Sequence, residues 1–261
     1  MSAATVVVTG ASRGIGASLA RIWGARGATV VLSARGAPAL EPVARDVERA
    51  GGTAIVAPGD VTREEDRVRR LERARATGRL DVLVNNAGRG FYGSVARIPA
   101  GELEALFALN VVAPLRLAQL ALDPLTRSGG TIVMMSSVAG VVAAPRLGAY
   151  AATKFALEAL SMSLRAELVG TGVRVLVVRP GPVDTDFRER AVTTDGHAGV
   201  RPRGAEVQTA DEVAAQVVAA VDRGAPVLET TPFVRAASAA ARIVPGAMRW
   251  IGAVMASRGR R

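Results

Sequence analysis

Cysteine is absent from this 261-residue chain, lysine and histidine occur once each, and tyrosine occurs twice. Without cysteine there is no disulfide, no thiolate nucleophile and no zinc–thiolate cluster. The one histidine, His197, has no acidic cluster around it and reads as a loop residue rather than a metal ligand. Aromatic residues make up 3% of the chain, too few for the stacking platforms that hold single-stranded nucleic acid. Neither helix-turn-helix nor zinc-finger spacing occurs. No signal-peptide pattern precedes Thr5, and no run of about 18 apolar residues is free of charge. These gaps predict a soluble cytoplasmic protein. Acid is missing altogether after Glu229, where six arginines supply +6 of the net charge of +10. The body is near balance, so the basic excess belongs to the tail and does not point to a nucleic-acid partner.

The scarcity of lysine is itself informative. Lys154 stands alone beside 32 arginines, and Tyr150 lies four residues upstream, on the same face of a helix. Arginine is a planar fork that stays charged, whereas lysine is a compact ammonium on a flexible stem with a movable pKa. A phenol beside an ammonium is a proton donor whose pKa the cation is expected to depress. Taken alone, the pair is better read as a surface lysine and a core tyrosine, since most such pairs are structural; the rest of the chain tips the balance.

Strand-like runs recur at 5–9, 28–33, 53–57, 81–84, 131–135 and 173–178. Helical patterns lie at 15–26, 38–50, 64–77, 102–127, 149–169 and 211–222. Such alternation predicts an α/β fold: a doubly wound, mostly parallel Rossmann-type sheet with helices on both faces. The charged helix 64–77 reads as an ordinary solvated face. Residues 1–229 read as one domain and 230–261 as a basic, alanine-rich helical extension.

The β-branched run Thr5–Val8 feeds a turn holding Gly10, Gly14 and Gly16, which offers backbone N–H groups and a helix N-terminus to a phosphate. The second strand ends at Ala34 and Arg35, where NAD-binding units carry an acid for the ribose hydroxyl. With Arg13 in the glycine turn, Arg35 suits a ribose 2′-phosphate, favouring NADP(H). Asp60 and Val61 follow the third strand; Asp60 suits either an adenine amino group or the cap of the helix near Glu64. Asn85, Asn86, Ala87 and Gly88 end the fourth strand and allow close approach of a flat ligand. Ser136 and Ser137 end the fifth, and Pro180 and Gly181 the sixth. All these strand ends are expected to face one crevice.

Together the motifs resemble the short-chain dehydrogenase/reductase family, over Thr5 to about residue 225. TGASRGIG at 9–16, which adds Ser12 and Ile15, matches its glycine loop, and NNAG at 85–88 matches its second motif. Ser137, Tyr150 and Lys154, in SSVAG and YAATK, match its catalytic triad, and Asn110 in LFALNV matches its fourth catalytic residue. PGPVDT at 180–185, which adds Val183 and Thr185, matches its nicotinamide-side loop. The resemblance implies hydride transfer between NADP(H) and a carbonyl or secondary alcohol. Tyr150 would be the general acid/base. Lys154 would lower its pKa and bond the nicotinamide ribose, Ser137 would polarise the carbonyl oxygen, and Asn110 would hold a relay water. It also implies a homodimer or homotetramer.

The substrate pocket is expected to draw on Phe91, Tyr92, the segment from Val138 to Leu147, and the irregular stretch 183–208. Its apolar character favours an apolar ketone or alcohol, with Arg146 and Arg188 as candidates for a carboxylate. In the tail, Arg235, Arg242 and Arg249 recur every seven residues and Pro245 is expected to split the helix. A helix packed over the pocket or on a partner subunit is preferred to one resting on an anionic membrane. The rival functions are a nucleotide-sensing protein without turnover and a related enoyl reductase or epimerase.

Overall fold

The computed structural model describes residues 3–194 and 206–243. His197, Pro245 and Arg249 lie outside the described residues, as do 195–205 of the irregular stretch.

Seven strands form one parallel sheet. They are β1 (Thr5–Thr9), β2 (Thr29–Ser33), β3 (Thr53–Val56), β4 (Val82–Asn85), β6 (Thr131–Met135), β7 (Arg174–Arg179) and β11 (Val227–Glu229), in the order β11-β7-β6-β4-β1-β2-β3. Every residue of β1, β4 and β6 is buried, as expected of strands covered on both faces. Alternate residues serve opposite layers. Val6, Val8, Val30, Leu32, Val84 and Val133 face one core with α1 (Gly14–Ala25), α2 (Glu41–Arg49) and α7 (Ala210–Asp222). Val7, Val31, Leu83, Ile132 and Met134 face the other, with α3 (Glu64–Arg75), α5 (Ala113–Ser128) and α6 (Gly148–Glu167). The doubly wound sheet predicted from the sequence is therefore present, with β11 as a seventh strand that the sequence pattern did not reveal.

Short parallel pairs flank the carboxyl edge of the sheet. β5 (Phe91–Tyr92) pairs with β9 (Val192–Thr193), and β8 (Val183–Asp184) pairs with β10 (Gln208–Thr209). Thr209 caps α7 in a reciprocal box: its hydroxyl accepts from Glu212 N, and the Glu212 carboxylate accepts from Thr209 N.

Two expectations need correction. The helix predicted at 102–127 is α4 (Ala100–Phe107), a π-turn over residues 108–112, then α5. Pro114 has no N–H to give the Asn110 carbonyl four residues back, so the helix widens there. The whole stretch Ala100–Ser128 is 29 residues long and apolar enough to cross a membrane, but Leu106, Val111, Leu117, Ala121 and Leu125 are buried in this fold. Helix α3 is not simply a solvated face either. Asp66, Arg67 and Arg70 are buried. Arg70 Nε donates to Ser33 Oγ at 2.8 Å and Arg67 Nη1 to the Val61 carbonyl at 2.6 Å. Their stems lie on apolar surface while their heads find acceptors at the sheet edge.

Candidate active site

The strand order reverses between β1 and β4, and the cleft opens at their carboxyl ends. Thr9 and Asn86 bind the two edges of the switch point together. Thr9 Oγ1 accepts from Asn86 N and Ala87 N at 2.9 and 3.0 Å and donates to the Val84 carbonyl. Asn86 Nδ2 donates to the Thr9 carbonyl at 2.9 Å. Gly10 has φ +65, and a Cβ there would lie 2.9 Å from Asn86 Nδ2 and 3.0 Å from Ala87 Cα. At Gly16 a Cβ would meet the Gly10 carbonyl oxygen at 2.3 Å. Only bare backbone allows this turn, and it leads into α1, whose first turn has neither a side-chain cap nor an acid. An anion at that N-terminus would meet free N–H groups and the positive end of the helix dipole.

The cleft has a volume of about 2500 Å³. That is ample for a dinucleotide together with a small substrate, since single-ligand pockets run roughly 300–1,000 Å³. Gly10, Ser12, Arg13, Gly14, Ile15, Arg35, Asp60, Val61, Asn86, Ala87, Gly88, Ser137, Tyr150, Lys154, Pro180, Gly181, Val183 and Thr185 all line it. Gly16, Asn85 and Asn110, all named from the sequence, do not reach its wall. Gly16 supports the turn from behind. Asn110 is fully buried in the π-turn: its Oδ1 accepts from Arg89 N at 3.1 Å, and its Nδ2 donates to the Arg89 carbonyl and Thr153 Oγ1.

At the end of the cleft beside the glycine turn, Arg35 is exposed, and Arg13 pairs with Asp186 at 2.8 Å. Asp60 does not cap α3, whose N-cap position is Arg63 and which has no side-chain cap. Its Oδ1 instead accepts from Thr62 N and Oγ1 at 2.8 and 2.7 Å. Burial works against the Asp60 charge, but these bonds, with Arg35 and Arg70 nearby, hold its carboxyl below the usual value.

At the other end, Tyr150 and Lys154 are buried one turn apart on α6. Lys154 Nζ donates to the Met135 carbonyl at 2.7 Å and sits 5.7 Å from the centre of the Tyr150 ring. Ser137 hydrogen-bonds the Tyr150 phenol while its Oγ accepts from Ala139 N at 3.1 Å. The expected depression of the phenol is not what this geometry produces. Burial pushes Tyr150 well above its ordinary value, with the Ser137 bond working against it. The ammonium lies over the ring, bonded to a carbonyl, rather than at the phenol oxygen. Burial also pulls Lys154 down to about 8, and Glu158 opposes that fall.

The substrate side is mostly apolar. Val138, Val142, Pro145, Leu147, Phe187 and Val192 line it, and the Phe187 ring lies 5.9 Å from that of Tyr150. Tyr92 lines the cleft, but Phe91 turns into a buried cluster with Leu106 and Ala149, because neighbours on a strand face opposite sides. Arg146 and Arg188 both reach the wall, Arg146 at φ +69. Helix α8 (Pro232–Ile243) closes one flank with Phe233, Ala236, Ala237 and Ala240, while Val234 and Ser238 anchor it inward. This placement agrees with the preferred reading of the tail as a pocket wall, for the residues described. Phe187 lies in the stretch 183–208, and Phe233 in the tail helix, that the sequence led us to expect at the pocket, although Phe187 itself was not singled out.

The family model for short chain dehydrogenase matches residues 4–196. A ketoacyl reductase of Nostoc sp. is 36% identical over 219 residues, covering 83% of this chain and 75% of that protein. The structure of a short-chain dehydrogenase from Streptomyces avermitilis superposes with a TM-score of 0.84 at 30% identity, covering 100% of this chain and 99% of that one. A short-chain dehydrogenase from Sphingobium yanoikuyae, solved in complex with NADPH, superposes with a TM-score of 0.75 at 30% identity, covering 98% and 94%.

Proposed function

The chain belongs to the short-chain dehydrogenase/reductase family of oxidoreductases, and from that premise we propose that it reduces an apolar ketone, or oxidises the matching secondary alcohol, with NADP(H). The observation that carries this reading is the convergence of Ser137, Tyr150 and Lys154 on one wall of a cleft whose opposite end presents glycine backbone and two arginines. When bound, the reduced nicotinamide supplies the hydride.

The residues of the chain supply the rest. Tyr150 donates its phenolic proton to the carbonyl oxygen, and Ser137 holds that oxygen with a second hydrogen bond. Lys154 sets a positive charge near the Tyr150 ring and would hold the nicotinamide ribose when the cofactor is bound. Asn110 keeps one acceptor lone pair beyond its three bonds. A Cβ on Gly88 would lie 3.1 Å from Asn110 Oδ1 and 3.9 Å from Lys154 Nζ. We assign Asn110 to a water bridging that gap toward Lys154. Ser12, Ile15, Val61, Val183 and Thr185 complete the dinucleotide cradle. Support for a 2′-phosphate comes from Arg13 and Arg35, from the missing acid at Ala34, and from the NADPH in the Sphingobium structure.

A small-molecule carbonyl or alcohol is the proposed partner, and the apolar wall favours one without a sugar-like surface. Exposed apolar side chains along the long helices, Leu103, Val112, Phe155 and Met162, favour a homo-oligomer. We place the enzyme in the cytoplasm, as the sequence composition led us to expect.

Two results test this reading. Arg35→Ala is expected to raise the Kd of NADPH by roughly ten- to a hundredfold while that of NADH moves by less than about twofold, since only the 2′-phosphate loses a charged fork. Fluorescence titration of both cofactors checks it, and equal losses would contradict the assignment.

The pH profile is the second. A phenol held above its ordinary value stays protonated, the form that reduction needs, through the whole neutral range. The Lys154 charge is present below about 8 and is lost as pH rises through that value. Ketone reduction is therefore expected to be level at neutral pH and to fall above about 8. Initial rates under substrate-limited conditions measure this, and a rate that climbs through that range would contradict it.

A further inference from the structure

We propose that Glu158 and Arg179 are a positioning pair that sets the charge state of Lys154 and fixes three walls of the site from behind. The inference rests on the catalytic reading of Lys154 given above.

Glu158 lies one helical turn beyond Lys154, on the same face of α6. Arg179 Nε and Nη2 donate to Glu158 Oε1 and Oε2 at 3.0 and 2.8 Å, a two-pronged pair. Arg179 Nη1 reaches Glu229 Oε1 at 2.9 Å, on the edge strand β11. The Arg179 and Glu158 side chains are 5% and 8% exposed. Glu158 also lies directly behind the serine turn. A Cβ on Gly140 would meet Glu158 Cγ at 3.0 Å and Oε1 at 3.3 Å. Arg179 is the residue before Pro180 and Gly181, and the Pro180 carbonyl accepts from Val138 N at 3.0 Å. One buried ion pair therefore backs the lysine helix, the Ser137 turn and the Pro180 turn.

Stability alone does not explain such a pair, because well-packed apolar residues usually serve a buried site as well or better. The neighbouring ammonium does. Tyr150 and Glu158 face Lys154 from α6, the Met135 carbonyl from β6, and neutral Asn110 from the π-turn. Arg179 stands beyond Glu158 on β7, Glu229 beyond that on β11, and half-buried Arg165, two turns past Glu158, feels the same carboxylate. Among the charged groups of the described residues, Glu158 is the one that supports the Lys154 charge against burial. Arg179 moderates that support by sharing the carboxylate.

The signs of two substitutions follow, and they are opposite. Glu158→Gln removes the negative charge and leaves the Arg179 cation, so Lys154 should lose its proton more easily. Arg179→Met frees the Glu158 carboxylate from its partner, so Lys154 should hold its proton more tightly. The double variant removes both charges and should fall between them.

Because the chain has a single lysine, selective isotopic labelling of lysine gives one NMR signal whose titration reads Lys154 directly, with or without turnover. The expected result is a midpoint lowered by about one pH unit in E158Q and raised by about half a unit or more in R179M. The alkaline limb of ketone reduction should shift in the same two directions. Midpoints that stay put, or shift the same way in both variants, would overturn the proposal and leave the pair as scaffolding. If one single variant fails to fold, the other decides: a midpoint equal to that of the parent, or moved against the expected sign, would overturn the proposal. Shifted NMR midpoints without any ketone reduction by the parent chain would leave this proposal standing and defeat the catalytic reading instead.

Discussion

Tyr150→Phe is expected to cut turnover by a factor of about 10³ or more while changing the NADPH dissociation constant by less than about threefold. The substitution removes a single oxygen and keeps the ring. Phenylalanine can still meet Phe187 at the observed 5.9 Å separation and fill the buried position between Ala149 and Ala151. The proposed cofactor cradle, the glycine turn and the β4 loop, is untouched. What is lost is the phenol that hydrogen-bonds Ser137. Tyr92, the other tyrosine, also lines the cleft, but its hydroxyl does not share the Ser137 bond. Single-turnover rates and cofactor titration separate the two effects. A Phe variant retaining a tenth or more of the activity would remove Tyr150 from the mechanism.

Lys154→Arg should be nearly as damaging, with a loss of roughly 10²-fold or more, although the charge is kept. Lys154 is 5% exposed, and its ammonium makes a 2.7 Å bond to the Met135 carbonyl. A planar guanidinium is wider and carries donors that this site does not satisfy. In a chain that otherwise uses arginine throughout, lysine at this one place reflects that shape. The rate and the melting temperature of the Arg variant check the claim together. Full activity would show that charge alone matters.

Much of the fold was legible in the sequence because buried parallel strands are β-branched runs, and TVVV, ATVVLS and TIVMM announce themselves. The edge strand β11 escaped notice because it is only three residues long and half-buried. The π-turn left no trace in the periodicity; Pro114 was its sole signal, and proline early in a helix is usually benign.

The site was legible where it is built from strand ends, since each motif follows directly on its strand. It was illegible where charged residues turn inward. Arg67 and Arg70 looked like solvent-facing charge, yet they brace the loop that carries Asp60. Arg179 and Glu158 are 21 residues apart and Arg13 and Asp186 are 173 apart. A one-dimensional pattern gives no distance between such positions. The sequence also placed Lys154 beside Tyr150 correctly but not the relative weight of burial and charge, which only the surrounding walls determine.

The account depends most on the claim that this cleft performs NADP(H)-linked carbonyl chemistry. The most direct measurement is the near-ultraviolet absorbance of NADPH mixed with the full chain and a panel of apolar ketones, run beside the Tyr150→Phe variant. The account predicts steady loss of the reduced-cofactor absorbance with at least one ketone, slower with NADH, and absent in the variant. NADPH that binds tightly yet is never consumed by any ketone, nor formed from NADP and any of the matching alcohols, would contradict it and leave a nucleotide-sensing protein in its place.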